Sequence, residues 1–276
     1  MDLLKQTLDL CKMYDIKPER SKGQNFLIEE GIYDRILESA EINKNETVLE
    51  VGPGLGFLTF KLAKKAKKVL AVEIDEKIAN FLQTLIIGNK SKNIKVFNKN
   101  ILKAKGDNFS KIGKYKIVSN LPYNITSIFL RKFLSLSNKP EMIVLMLQKE
   151  VVERIMAEPP KMSLLSISVQ FYAEVEKIMD VKRDYFYPTP EVDSAIIKII
   201  PNKKLLENYE EEKRFFKILR VAFSSKRKML KNNLANGLKV DIKKIEEILI
   251  KLNLNTKVRS EQLAINDWLK IFQSLK

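Results

Sequence analysis

The chain of 276 residues is 45% hydrophobic and 30% charged, enough for one large domain and a smaller one, and its 50 basic against 34 acidic residues give a formal charge of +16. It has no histidine and a single cysteine, Cys11, which excludes imidazole-based triads, histidine or thiolate zinc sites and any internal disulfide. No apolar run approaches the roughly 20 residues that cross a bilayer, and the basic surplus points to a polyanionic partner.

The N-terminal stretch "MDLLKQTLDLCKMYDIKPER" carries charges throughout and lacks the basic-then-apolar layout of a signal peptide, so a cytoplasmic setting is expected. From about residue 45, apolar runs of strand length alternate with helical patterns. "TVLEVG" (47–52), "KVLAVEID" (68–75), "IKVFN" (94–98), "YKIVSN" (115–120) and "MIVLMLQ" (142–148) read as buried strands. Helices are expected near 57–66, 76–87, 125–136 and 149–157. This alternation predicts a Rossmann-like, mostly parallel sheet covered by helices on both faces. "VEKIMDV" and "SAIIKII", separated by a proline-containing turn, add an antiparallel edge hairpin.

The strand ends carry the chemistry. Gly52, Gly54 and Gly56 follow the first strand and precede a helix, where glycine admits close backbone approach and a helix N-terminus offers free N–H groups. Glu73 ends the second strand, 21 residues beyond Gly52, where a carboxylate accepts hydrogen bonds from ribose hydroxyls. The loop runs G-x-G-x-G rather than G-x-G-x-x-G, so it fits a pyrophosphate poorly. It resembles the loop that receives the methionine part of S-adenosylmethionine. Asn100 follows the third strand, at the expected adenine edge, and Asn120 closes the fourth. In a parallel sheet ligands sit at the carboxyl ends of the strands, so these residues should ring one crevice.

After Pro201 the pattern becomes purely helical, with helices expected at 215–234, 241–254 and 260–276, the last capped by Ser260. The division expected is a catalytic domain over 1–201 and a small all-helical domain over 202–276. Residues 203–276 hold 18 basic and 9 acidic side chains. Lys217, Arg220, Arg227, Lys228 and Lys231 fall within about a 100° arc if the 215–234 helix is continuous, whereas a break at Ser224-Ser225 would scatter them. They are the candidate phosphate contacts.

"KGQNFLIEEGI" (22–32), "LEVGPGLGFLT" (49–59), "VEID" (72–75), "SNLPYNITS" (119–127), "MLQKEVVERI" (146–155), "FYPTPEVDSA" (186–195) and "FFKILRVAFSSKRKMLKNNL" (215–234) together resemble the small-subunit rRNA adenine N6-dimethyltransferases over essentially the whole chain. The resemblance implies S-adenosylmethionine as cofactor and S-adenosylhomocysteine as product, with Gln24, Asn25 and Leu27 closing over the cofactor. It further implies two adjacent adenines near the 3′ end of small-subunit rRNA as target, an immature 30S-like particle as partner, a monomer, and no metal or membrane. Large-subunit rRNA methylation of the macrolide-resistance type, and an assembly factor that acts mainly by docking, are the alternatives. The family's usual aspartate is Asn100 here, and Met162, Ser163 and Leu164 replace its usual Tyr-Gly-Arg.

The chemistry expected of "NLPY" follows from residue types. An exocyclic adenine amine is a poor nucleophile because its lone pair is delocalised into the ring. The Asn120 side-chain oxygen and the Pro122 carbonyl, held by proline's fixed φ, would accept its N–H protons and free the lone pair. Tyr123 would stack on the base, with Phe186 on the opposite face. No histidine is needed, because orientation is the main task.

Overall fold

The computed structural model describes residues 2–19, 23–104, 112–202, 205–206 and 208–275. Lys22, at the head of the first quoted motif, Lys203, Lys204 and Glu207 near the expected boundary, and the terminal Lys276 lie outside them. Each long apolar run forms a strand: β2 Thr47–Val51, β3 Lys68–Glu73, β4 Ile94–Asn98, β5 Tyr115–Asn120 and β6 Met142–Gln148. With β7 Ala173–Val181 and β9 Ser194–Pro201 they build a seven-stranded sheet in the order β4-β3-β2-β5-β6-β9-β7. The pairs from β4 through β6 are parallel and β9 runs antiparallel to β6, so the Rossmann-like class expected from the alternation is the one observed. β5 and β6 are buried along nearly their whole length, as strands covered on both faces must be. The edge strand β7 is mostly solvated and bears Glu174, Glu176 and Lys177, which discourages further pairing.

Helices Glu30–Ser39, Phe57–Lys65, Glu76–Gly88 and Thr126–Leu134 cover the sheet. Their caps are local: Asp75 accepts from the N–H groups of Lys77 and Ile78 to start the third of them. Further elements go beyond those expected from the sequence. A two-residue strand β1, Phe26–Leu27, pairs antiparallel with β8, Phe186–Tyr187. An N-terminal helix, Leu3–Met13, precedes Tyr14, whose ring meets Phe81 at 4.6 Å, while Ile16 enters a cluster with Phe26, Leu55, Ile78 and Leu82.

The chain forms two compact units, Met1–Val152 with Glu174–Pro201, and Glu153–Ala173 with Asn202–Lys276. The division expected at 201/202 leaves 153–173 in the first domain, whereas that segment groups with the second unit. There Phe171 stacks on Phe215 at 5.0 Å, Tyr172 stacks on Phe216 at 5.7 Å, and the Met162 N–H donates to the Glu261 carbonyl at 2.9 Å. Ser163 caps the helix Leu164–Gln170 reciprocally with Ser166, so the unusual Met162-Ser163-Leu164 stretch is a helix start.

Among its described residues the tail holds four α-helices rather than three: Tyr209–Ala222, Leu230–Leu238, Ile242–Lys251 and Ile265–Ser274. The expected 215–234 helix breaks after Ala222. The Asn233 side chain donates to the carbonyls of Ala222 and Ser225 and the Leu230 N–H donates to Val258, which holds the bend. Ser260 does not cap the last helix. Its buried hydroxyl donates to the Ala222 carbonyl at 2.7 Å, and Asp267 accepts from Ala264 N–H where the helix starts.

Candidate functional site

β2, β3, β4 and β5 are parallel and end along one edge of the sheet at Val51, Glu73, Asn98 and Asn120. A cleft opens there, lined by Gly23–Leu27, Tyr33, Glu50, Gly52–Leu55, Phe57, Leu58, Glu73, Ile74, Ile78, Asn120 and Pro122. It holds about 700 Å³ of space, part of it open to solvent. The two strand-end glycines are there for backbone reasons. Gly52 and Gly54 have φ of +68° and +55°, the left-handed region that glycine enters at no steric cost. A Cβ on Gly52 would meet the Pro122 ring at 3.1 Å, and one on Gly54 would meet the Phe26 ring at 3.1 Å. The glycine turn is therefore clasped between the "NLPY" proline and the residue before Leu27.

Two carboxyls face this cleft. Glu73 is 6% exposed, and its Oε1 accepts from the N–H groups of Ile74 at 2.7 Å and Asp75 at 2.9 Å. Burial raises its pKa, while these bonds and one from Gly54 pull the other way. Glu50 is 2% exposed and its Oε2 has no hydrogen-bond partner among the described residues. Burial, with the charge of Glu73 adding, pushes Glu50 up to about 8. A buried acid with an unused oxygen calls for a cationic or hydrogen-donating guest.

The other expected residues divide. Gln24, Asn25 and Leu27 do line the cleft. Gln24 Oε1 accepts from Glu19 N–H at 2.8 Å, and the Leu27 carbonyl accepts from the Tyr33 hydroxyl at 2.8 Å. Asn120 Nδ2 donates to the Asn25 carbonyl at 3.3 Å, which leaves Oδ1 as the acceptor. The Pro122 carbonyl accepts from Ile125 N–H at 3.2 Å and keeps a second lone pair. The Tyr123 hydroxyl lies 2.7 Å from Ser194 Oγ. Asn100 is not in the lining: its Oδ1 caps the turn Ile101–Lys103 by accepting from Leu102 N–H at 2.8 Å. Phe186 is 1% exposed and packs in a core cluster with Leu27, Tyr33 and Ile196, so its ring is not offered to a base. Sequence reading missed Glu50, Phe26, Tyr33 and Phe57. An acid inside the apolar strand "TVLEVG" was the one available signal.

The second unit has a basic groove of its own. Lys217, Arg220 and Lys228 line it with Val221, Ser224, Ser225, Asn233, Asn236 and Gly237. Of the five expected cations, Arg227 is exposed and outside that lining, and Lys231 is paired with Glu246 at 2.5 Å. Among the described residues no helix is long and apolar enough to cross a membrane, and no cluster of His, Cys, Asp and Glu has metal-site composition.

Comparison with known proteins gives this geometry a context. The chain is 40% identical over 273 residues to ribosomal RNA small subunit methyltransferase A of Dehalococcoides mccartyi strain BAV1, covering 98% of this chain and 92% of the relative. A dimethyladenosine transferase from Plasmodium falciparum superposes with a TM-score of 0.76 at 31% identity, over 89% of this chain and 95% of that one. The 23S rRNA methyltransferase ErmE gives 0.72 at 27% identity, over 91% and 99%. Residues 16–276 match the family model described as ribosomal RNA adenine dimethylase, and the chain belongs to that family.

Proposed function

We propose that this protein uses S-adenosylmethionine to dimethylate the N6 atoms of two adjacent adenines near the 3′ end of small-subunit rRNA. One observation carries the reading: Asn120 and Pro122, each with an oxygen free to accept, line a cleft that also contains two buried carboxyls. The cleft's donor set suits that cofactor. Glu50, with its unused Oε2, would hold the α-ammonium, Glu73 the ribose hydroxyls, and Gly52 and Gly54 give the methionine part room at the backbone. Gln24, Asn25 and Leu27 would close over it, and Asn100 would shape the adenine side through the turn it caps. When bound, S-adenosylmethionine supplies an electrophilic methyl group and leaves as S-adenosylhomocysteine.

The protein's own task is to present the amine. Asn120 Oδ1 and the Pro122 carbonyl accept its two N–H protons and draw the lone pair out of conjugation, while the Tyr123 ring stacks on the base. Positioning of this kind is worth roughly 7–11 kcal/mol. Methyl transfer leaves the positive charge on the nitrogen, and that cation is acidic and gives its proton to water, so a chain without histidine suffices. In the second round only one N–H remains, and either acceptor serves it. Phe186 acts from behind, as packing for Leu27. Lys217, Arg220 and Lys228, with the exposed Arg227, would bind phosphates, and the protein would act as a monomer on an immature small subunit.

The test supplies methyl-labelled cofactor and protein to unmethylated small subunits and, separately, to naked large-subunit rRNA. Label in two adjacent small-subunit adenines is expected, and loss of label but not of docking with Asn120→Ala. Label in large-subunit rRNA alone overturns the assignment, and an Asn120→Ala protein at wild-type rate overturns the role of Asn120.

A further inference from the structure

Ser194, in "FYPTPEVDSA", has no role in the reading above, yet it is 0% exposed and lies 2.7 Å from the Tyr123 hydroxyl. The topology explains the meeting. β9 runs antiparallel to β6, so its first residue, Ser194, sits beside Gln148 at the carboxyl end of β6. β6 in turn pairs with β5, whose end delivers Asn120 and then Tyr123. An antiparallel strand thus begins on the edge where the parallel strands present their ligands. The Lys149 N–H donates to the Asp193 carbonyl at 2.9 Å and fixes that entry.

We propose, building on the function given above, that Ser194 is a positioning residue that sets the face Tyr123 offers to the target base. Tyr123 is then held at both ends: its backbone carbonyl accepts from the Thr126 hydroxyl at 3.2 Å, and its phenol is tied to Ser194. Without the bond the ring keeps its backbone anchor and loses the restraint on its plane. A phenol pushed upward in pKa by burial stays protonated near neutrality and does not serve as a general base. Tyr123 acts with its ring, and Ser194 acts through Tyr123. The bond also has no charge, so it imposes no pH dependence of its own near neutrality.

Three variants test this on whichever RNA the wild-type protein methylates: Ser194→Ala, Tyr123→Phe and the double change. Each single variant should lower kcat by about tenfold, with cofactor Kd and RNA KM unchanged, and should release more monomethylated adenine, because the second transfer needs the same alignment. The double variant should equal the worse single one, since both remove one bond. Wild-type kcat in Tyr123→Phe overturns the proposal, and so do losses that multiply in the double variant. Should Ser194→Ala fail to fold, Tyr123→Phe still decides, because it removes the same bond while keeping the ring. A wild-type protein that methylates no RNA refutes the functional reading itself, a result separable from variants that match an active wild type.

Discussion

Glu50 shows what one side chain does to the pH behaviour of the site. Its folded pKa stands near 8 because burial disfavours the charge, with Glu73 adding. The unfolded chain ionises the same group near pH 4.5. The fold favours the neutral carboxyl, so its contribution is complete below about pH 4.5 and is lost as pH rises through about 8. Glu50→Gln should therefore gain on the ligand-free wild type between pH 5.5 and pH 8, on the order of 1 kcal/mol or more in urea unfolding. A cationic guest reverses the preference. Titration calorimetry in buffers of different ionisation enthalpy should find proton release when S-adenosylmethionine binds at pH 7, and binding that tightens from pH 6 to 7.5. Both should vanish in Glu50→Gln, and equal proton counts in the two proteins would remove Glu50 from the cofactor site. The sequence marks Glu73 because it closes a strand, whereas nothing in the spacing singles out Glu50. Strand ends are legible in a sequence; the direction of a side chain is less so. That is why Gln24, Asn25, Leu27, Gly52 and Asn120 line the cleft while Asn100 turns to its own loop and Phe186 to the core.

Elements were readable where periodicity is long and unreadable where tertiary bonds override it. The five strands β2 to β6 and the helices Phe57–Lys65, Glu76–Gly88 and Thr126–Leu134 between them need no more than apolar spacing. The β1–β8 ladder is two residues long and leaves no period to detect. The helix predicted over 215–234 has continuous helical spacing, and its break is held by Asn233 within that segment and by two partners beyond it, Val258 and Ser260. That break lets Tyr209–Ala222 and Leu230–Leu238 cross closely. A Cβ on Gly237 would lie 2.3 Å from Val221 Cγ1, a short β-branched side chain with little room to retreat. In an open helix Gly→Ala gains about 1 kcal/mol. Here overpacking should outweigh it, so Gly237→Ala should destabilise by about 1–3 kcal/mol in denaturant unfolding. Adding Val221→Ala should recover part of that loss. A Gly237→Ala protein more stable than wild type would show that the crossing is looser than described.

At the scale of the whole molecule, the +16 charge and the acidic cleft divide the electrostatic work. Surface cations act on a polyanion at long range and are screened by salt, whereas the two buried carboxyls act at contact range and are screened little. The two affinities should therefore respond differently to ionic strength. Each phosphate neutralised on single-stranded RNA contributes about 0.7 to the slope of log K against log salt. Replacing Lys217, Arg220 and Lys228 together by glutamine should lower the slope for RNA by about 2, if each holds one phosphate in the groove they line. Cofactor affinity should stay within about twofold of wild type, because no residue of that groove lines the cleft. Lys231→Gln is the control within the same unit. Its ammonium is already committed to Glu246, so its removal should change the slope by much less than one phosphate's worth. A triple variant with an unchanged slope would move the RNA contact to another surface, and a Lys231→Gln effect as large as the triple would show that net charge, rather than the groove, governs binding.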